Sequence, residues 1–190
     1  VAKEPKAVIE ATDPVKYIPN FISNPDEIFA ALWDNLDWER RENTPRREYW
    51  ANSLDRAYSY PSKFGMKTYY PRPSVPEIDA VSAALESYLG FKYEGCFLNG
   101  YENGADTLGP HADDDPGIDH NFPIAVVTVG CKREIEFMEM ATKRKVRVML
   151  EPGSLFLMEP GMQSTHLHKI PPAGFVATPR ISLTFRKLIA

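Results

Sequence analysis

After Gly90 the chain breaks into short β-type runs separated by Gly, Pro, Asn and Asp, and that half of the sequence leaves few architectures open. The runs are Tyr93–Tyr101, Ile124–Val129, Glu134–Met140, Lys145–Leu150, Ser154–Met158 and Arg180–Leu188. Residues 144–150 and 180–186 alternate polar with apolar, and residues two apart share one face of a strand. Six or more short strands in about 95 residues predict a sandwich or barrel.

The first half reads differently. Asn24, Pro25 and Glu27 mark a helix start, with Asn at the cap and Pro at the first helical position. Ile28, Phe29, Leu32, Trp33 and Leu36 follow at helical spacing, so a first helix should end near Asp37. A second helix is predicted from Ser74, with Glu77 three residues on, an apolar stripe from Ile78 to Leu89, and Gly90 as its stop. The two helices would cover one face of the strands. Residues 1–20, with Pro5, Pro14 and Pro19, read as an extended lead-in. Residues 38–72 are basic, aromatic and turn-rich without a long period, and a stretch of that length is usually functional.

At 190 residues the chain is expected to form a single domain, 1–190, that needs no disulfide or metal to fold. No apolar run approaches a membrane span, and Val1–Glu10 lacks the apolar stretch of a signal peptide. With only Cys96 and Cys131, a reduced cytoplasmic (or nuclear) setting is expected, not secretion. The net charge of −4 argues mildly against a non-specific polyanion binder. Its distribution is uneven. Residues 38–72 carry eight basic side chains against four acids, whereas 101–120 carry six acids and no Lys or Arg. That asymmetry suits a cation site with an anionic partner above it, or a solvated surface with chance asymmetry.

The four histidines are His111, His120, His166 and His168. In His111-Ala-Asp113 an imidazole and a carboxylate lie two apart, so on an extended segment both can face one ion. His168 falls 55 residues later on another element. Two His and one carboxylate form the facial triad of non-haem Fe(II) oxygenases, although an H-x-D alone also fits a hydrogen-bonded pair. On the last strand Arg180, Ser182, Thr184 and Arg186 share one face, with Ile181, Leu183 and Phe185 on the other. Two arginines inside a barrel need anionic partners, and a dicarboxylate answers both. An edge strand with its arginines in water is the plainer alternative.

The segment Asn99-Gly-Tyr101 through Asp115, then Gly153 to Met158, Gln163 to Pro171, and Pro179 to Arg186 resemble the AlkB family of Fe(II)- and 2-oxoglutarate-dependent dioxygenases. The resemblance covers residues 93–188. It extends more loosely over Trp38 to Tyr60, through Pro45-Arg46-Arg47 and Tyr58-Ser-Tyr60, to the family's nucleotide-recognition lid. It implies a mainly β fold with flanking helices (α+β), a double-stranded β-helix or jelly roll of residues 93–188 behind a helical layer, with 38–72 as the lid.

The resemblance also implies site residues. His111, Asp113 and His168 match the iron ligands, with His168 rather than His166 at the position before Lys-Ile-Pro. Asn99 and Tyr101 match residues that contact 2-oxoglutarate. Arg180, with Ser182, matches the holder of its distal carboxylate, and Arg186 stands near its iron-side carboxylate. Ser182 departs from the Asn common in the family. Asp115 matches a reader of the damaged base. Arg46 and Arg47, with Arg40 and Arg41, would contact phosphates, and Tyr58 or Tyr60 would stack on the base. The implied activity is oxidative demethylation of 1-methyladenine- or 3-methylcytosine-type bases in DNA or RNA, using Fe(II), O2 and 2-oxoglutarate and releasing formaldehyde, succinate and CO2. The substrate would be single-stranded or carry a flipped base, and the protein is expected to be a monomer away from membranes. Rival readings are a 2-oxoglutarate-dependent hydroxylase of a protein, lipid or small molecule, a non-enzymatic jelly-roll binding module, and a zinc hydrolase.

Overall fold

The computed structural model describes residues 8–62, 64–176 and 178–189. The first seven residues of the expected lead-in and Lys63 of the basic segment lie outside the described residues. Strands and helices follow in the order β1 (Val15–Ile18), α1 (Pro25–Asn35), β2 (Glu39–Arg40), β3 (Arg47–Asn52), β4 (Tyr58–Ser62), β5 (Gly65–Tyr69), α2 (Pro76–Leu89), β6 (Gly95–Tyr101), β7 (Leu108–His111), β8 (Ile124–Gly130), β9 (Arg133–Glu139), β10 (Lys145–Leu150), β11 (Leu155–Met158), α3 (Met162–Thr165), β12 (His166–Ile170) and β13 (Arg180–Arg186).

Two antiparallel sheets face each other. The larger runs β1-β11-β8-β13-β6-β3-β2 and the smaller β10-β9-β12-β7. Their inner faces meet in a core that includes Val126 and Phe156 from the larger sheet and Ile135, Phe137 and Val148 from the smaller. This is the expected jelly-roll sandwich. The helices lie on the outer face of the larger sheet, where Leu32, Val81 and Leu85 pack with Leu98, Val127, Leu183 and Phe185. Gly90 ends α2 in the left-handed conformation, at φ +83°, and its N–H donates to Glu86 O.

Several expectations need correction. The lead-in is not simply extended: Val15–Ile18 pairs with β11 and forms one edge of the larger sheet. The second helix begins at Pro76 after Val75, and Ser74 donates to Asp79 Oδ1 at 2.6 Å instead of capping the helix. Cys96 is buried in β6, and Cys131 sits in the turn between β8 and β9, partly exposed. The largest difference is in 38–72. Much of it is regular, with β3 paired along β6 and β4–β5 forming a hairpin. In β3 the four residues from Glu48 to Ala51 are all buried, because helices cover one face and the hairpin the other. A strand covered on both sides carries no polar–apolar alternation to read.

Candidate active site

Strand β13 sorts its side chains between two environments. Ile181, Leu183 and Phe185 enter the core beneath the helices. Arg180, Ser182, Thr184 and Arg186 line a cavity of about 610 Å³ between the two sheets. The arginines are therefore buried, not edge residues in water: Arg180 is 1% and Arg186 5% exposed.

His111, Asp113 and His168 reach the same cavity. Strand β12 pairs with β7 so that His168 stands directly opposite His111, with ring centroids 4.2 Å apart. One ligand atom from each of the three residues lies within 4.8 Å of the others. The His111 Nδ1 is 2.8 Å from Gly109 O. A carbonyl only accepts, so Nδ1 carries a proton, and Nε2, 3.5 Å from Asp113 Oδ1, is the nitrogen that faces a metal position. Burial, then the neighbouring His111, pushes His168 down to about 3, which keeps its imidazole in the neutral, ligating form. Burial would raise Asp113, but Arg186 and the two histidines overcome it and hold the carboxylate well below its ordinary value. The neutral His168 imidazole, the His111 ring opposite it and the ionised Asp113 carboxylate on one side of a cavity fit a non-haem Fe(II) ion with open positions.

The other polar atoms of the cavity ask for a dianion. Arg180 Nη2 donates to Thr128 Oγ1 at 2.9 Å, while its Nε and Nη1 are buried without a partner among the described residues. Arg186 Nη2 donates to Asp113 Oδ2 at 3.0 Å and leaves Nε and Nη1 likewise unsatisfied. The Tyr101 hydroxyl is also buried and unpaired. Unsatisfied buried donors are costly, and a dicarboxylate satisfies both guanidinium groups. The register of β6 against β13 sets Tyr101 beside Arg180 and Asn99 beside Ser182. Burial lowers Arg180 to about 10, with Arg133, whose guanidinium also lies by the Tyr101 ring, adding to the shift.

The residues expected to touch a base or its phosphates are dispersed. Tyr58 and Tyr60 both line the cavity. Tyr58 is nearly buried, against Trp50, Phe97 and the Arg186 guanidinium. Tyr60 is partly exposed and stacks on Tyr69. Arg46 also lines the cavity, but it is 7% exposed and donates to Asn99 Oδ1 and Thr107 O. Arg47 points the other way, over the Trp33 ring and against Glu102. Arg40 pairs with Glu102 and Arg41 with Glu39. Asp115 is partly buried and accepts the Gly117 N–H, while its neighbour Asp114 lines the cavity. His166 is buried with Nδ1 at 2.7 Å from Thr165 Oγ1 and takes no part in the three-residue cluster, and His120 is exposed.

Sequence reasoning missed four participants. Gln163 Oε1 accepts the Asp113 N–H at 2.9 Å and so pins the ligand loop. Thr128 anchors Arg180. Glu48 lines the cavity and is held from behind by buried Tyr69, whose hydroxyl donates to Glu48 Oε2 at 2.7 Å. The signal for Glu48 was an acid between Arg46 and Trp50 at period two, legible only once the segment is a strand.

Comparison with known proteins agrees with this geometry. The mouse DNA oxidative demethylase ALKBH2 is 31% identical over 134 residues, which is 66% of this chain and 56% of that protein. The human ALKBH2 is 29% identical over 183 residues, 86% of this chain and 69% of that protein. The bovine alpha-ketoglutarate-dependent dioxygenase alkB homolog 3 is 26% identical over 188 residues, 88% of this chain and 64% of that protein. The chain thus spans between just over half and about two thirds of the length of these curated relatives. The solved structure of OsALKBH1 superposes with a TM-score of 0.64 over 94% of this chain and 100% of that one, at 15% identity, and shows the same fold. The profile of the 2OG-Fe(II) oxygenase superfamily matches residues 15–186, and the chain belongs to that superfamily, whose chemistry uses Fe(II), 2-oxoglutarate and O2.

Proposed function

We propose that this chain oxidatively demethylates N-alkylated bases of the 1-methyladenine or 3-methylcytosine type in DNA or RNA. The observation that carries the reading is the shared cavity. The aromatic wall of Tyr58, Tyr60 and Phe97 and the His111–Asp113–His168 cluster line one space, so a flat ring and a metal can meet in it. The names of the curated relatives support the same chemistry.

In this reading His111, Asp113 and His168 hold Fe(II). Arg180 and Ser182 hold the distal carboxylate of 2-oxoglutarate, Arg186 stands near the carboxylate beside the metal, and Asn99 and Tyr101 complete its contacts. Bound there, Fe(II) supplies the oxidation of the N-methyl group by O2, coupled to conversion of 2-oxoglutarate to succinate and CO2. The hydroxymethyl product then loses its C–N bond and leaves as formaldehyde. The protein's share is to bind, orient and exclude water. Tyr60 offers a face to the base, and Asp114 and Asp115 place negative charge near a cationic methylated ring. The base must be unpaired or flipped to enter, and the chain is taken to act as a monomer.

A second reading has its own observation. Most arginines of the 38–72 segment already have acidic partners: Arg40 and Arg47 with Glu102, Arg41 with Glu39, Arg72 with Asp37. Little free charge is then left for phosphates, which suits a protein, lipid or small-molecule substrate. One assay separates the two. Methylated single-stranded oligonucleotides incubated with the chain, Fe(II), O2 and 2-oxoglutarate should yield formaldehyde and unmodified base. Succinate formation without any change in the oligonucleotide would favour the second reading.

A further inference from the structure

Asn99 has two faces, and only one of them is free. Arg46 Nε lies 3.1 Å from the Asn99 side-chain oxygen. A guanidinium can only donate, so the oxygen must face Arg46 and the amide nitrogen must face away from it. Asn99 is 8% exposed and lines the cavity, opposite Ser182 in register. Its two N–H groups are thereby offered to the space where the unsatisfied arginine donors also converge.

Arg46 is in turn held in place. Its Nη1 donates to Thr107 O, its Nη2 is 3.8 Å from Glu48 Oε2, and it is 7% exposed. Glu48 is fully buried and takes the Tyr69 hydroxyl on Oε2. Tyr69 stacks on Tyr60 at 5.8 Å between centroids, with its hydroxyl 3.2 Å from that of Tyr60. A continuous chain thus runs from the hairpin through Glu48 and Arg46 to Asn99. An arginine so enclosed is badly placed to meet a phosphate in solvent.

We propose that Arg46 is a positioning residue for the co-substrate. It fixes the Asn99 amide so that the cavity receives two donors and no acceptor, and Glu48 with Tyr69 holds Arg46 in register. An oxygen-rich dianion is favoured by that arrangement, whereas a flipped Asn99 would aim an acceptor at it. The proposal rests on the superfamily's co-substrate and is independent of the nucleic-acid reading.

The test measures binding of 2-oxoglutarate to the full chain loaded with Mn(II), by calorimetry. Thermal denaturation and anisotropy of a methylated single-stranded oligonucleotide are recorded on the same preparations. Arg46→Met should weaken 2-oxoglutarate binding about ten- to hundredfold, the range for one hydrogen bond to a charged group. Mn(II) affinity and oligonucleotide affinity should stay within about twofold. Arg46→Lys should not rescue it, because one ammonium cannot reach Asn99, Thr107 and Glu48 together. Unchanged 2-oxoglutarate affinity in Arg46→Met overturns the proposal, and a fall in oligonucleotide affinity alone would make Arg46 a phosphate contact. Should Arg46→Met not fold, Asn99→Asp decides. That carboxylate keeps its pairing with Arg46 but presents oxygens to the cavity, so the protein should fold and lose at least tenfold in 2-oxoglutarate affinity. Retained affinity there overturns the assigned orientation. A wild-type chain that binds no 2-oxoglutarate with Mn(II) overturns the site assignment as well, and so is distinguishable from failure of the Arg46 step.

Discussion

Asp113 Oδ2 and Arg186 Nη2 meet at 3.0 Å, with the two side chains 4% and 7% exposed. The carboxylate proposed to ligate the metal is therefore also the counter-charge of a buried arginine at the far end of β13. One side chain serves both the chemistry and the packing of the cavity.

That double role separates two ligand mutants. Asp113→Ala should abolish metal binding and also destabilise the metal-free protein by about 3–5 kcal/mol, because it strands a buried guanidinium. His111→Ala should abolish metal binding as well. Its side chain is 31% exposed, with Nδ1 on the Gly109 carbonyl and Nε2 3.5 Å from Asp113 Oδ1, and Asp113 keeps Arg186 when it is removed, so its cost in stability should be under about 1 kcal/mol. Urea unfolding in the presence of a chelator measures both. Equal losses would mean that the ion pair contributes nothing to the fold.

How much of this was legible beforehand varies with the physics of each segment. The face splits of β13 and β10 could be read because one side of each meets a polar cavity or solvent and the other a core, whereas β8 and β11, buried on both faces, were legible as short unbroken apolar runs. The His-x-Asp pair and the arginine pair carried a chemistry rare enough to be recognised. Strand β3 was illegible because both of its faces are covered, so Glu48, Tyr49, Trp50 and Ala51 show no alternation. Strand β1 is four residues long, with only Val15 fully buried, too short for a period to emerge. The direction of Arg46 and Arg47 could not be known without that strand. Adjacent residues on a strand point to opposite faces, and one enters the cavity while the other leaves it.

Tyr58 and Tyr60 should behave differently despite their spacing. Tyr58 is enclosed by Trp50, Phe97 and Arg186. Tyr58→Ala should cost about 3–5 kcal/mol of stability, as for other buried aromatics. Tyr60 stands partly exposed at the cavity wall. Tyr60→Ala should mainly weaken binding of methylated oligonucleotides, by about 1–3 kcal/mol if a base stacks there. Comparing melting temperatures with anisotropy titrations tests the contrast, and it fails if Tyr60→Ala destabilises the fold as much as Tyr58→Ala while leaving binding intact.

Arg133, at the start of β9, is fully buried and ties two loops together, donating to Asn103 O and Asp106 O of one and to Pro171 O of the other. Nearby, a Cβ on Gly104 would stand 1.7 Å from Ala173 O. Both contacts lock the loop after β6 to the loop before β13. Arg133→Met should leave those carbonyls unpaired and cost about 2–4 kcal/mol, at about 1–3 kcal/mol for each group left truly unsatisfied. Gly104→Ala should push the loops apart and destabilise the chain comparably. Wild-type denaturation midpoints in either variant would refute the clasp.

Glu48 gives a pH dependence with a definite sign. Burial raises its pKa above the ordinary 4.5, against the pull of Tyr69, Arg46, Lys67 and Arg41. Above pH 4.5 the unfolded chain releases this proton while the folded chain keeps it, so the folded state binds more protons. Its contribution to stability is therefore lost as pH rises from 4.5 through the folded pKa. Glu48→Gln does not titrate. The stability of Glu48→Gln relative to wild type should then be flat below pH 4.5 and rise above it. Urea unfolding at several pH values between 4 and 8 measures this difference, and a difference that falls with pH would show that the carboxylate is stabilised in its charged form.

The last expectation concerns where a nucleic-acid strand could run. Arg47 lies on the helix side of β3, 3.9 Å over the Trp33 ring, with Nη2 3.1 Å from Glu102 Oε1. Arg40 closes on the same carboxylate at 2.6 Å. Lys67 on the hairpin instead lines the cavity with Thr44, whose hydroxyl it contacts. Lys67→Ala should therefore weaken binding of single-stranded oligonucleotides of every sequence and reduce the log–log salt slope by roughly 0.7, the loss of one phosphate contact. Arg47→Ala should leave affinity and slope unchanged. It should lower stability by about 1 kcal/mol through the lost ring contact, because Glu102 keeps Arg40. A salt slope that falls with Arg47→Ala and not with Lys67→Ala would put the strand across the outer face of β3, away from the His111–Asp113–His168 cluster, and would count against the nucleic-acid reading of the cavity itself.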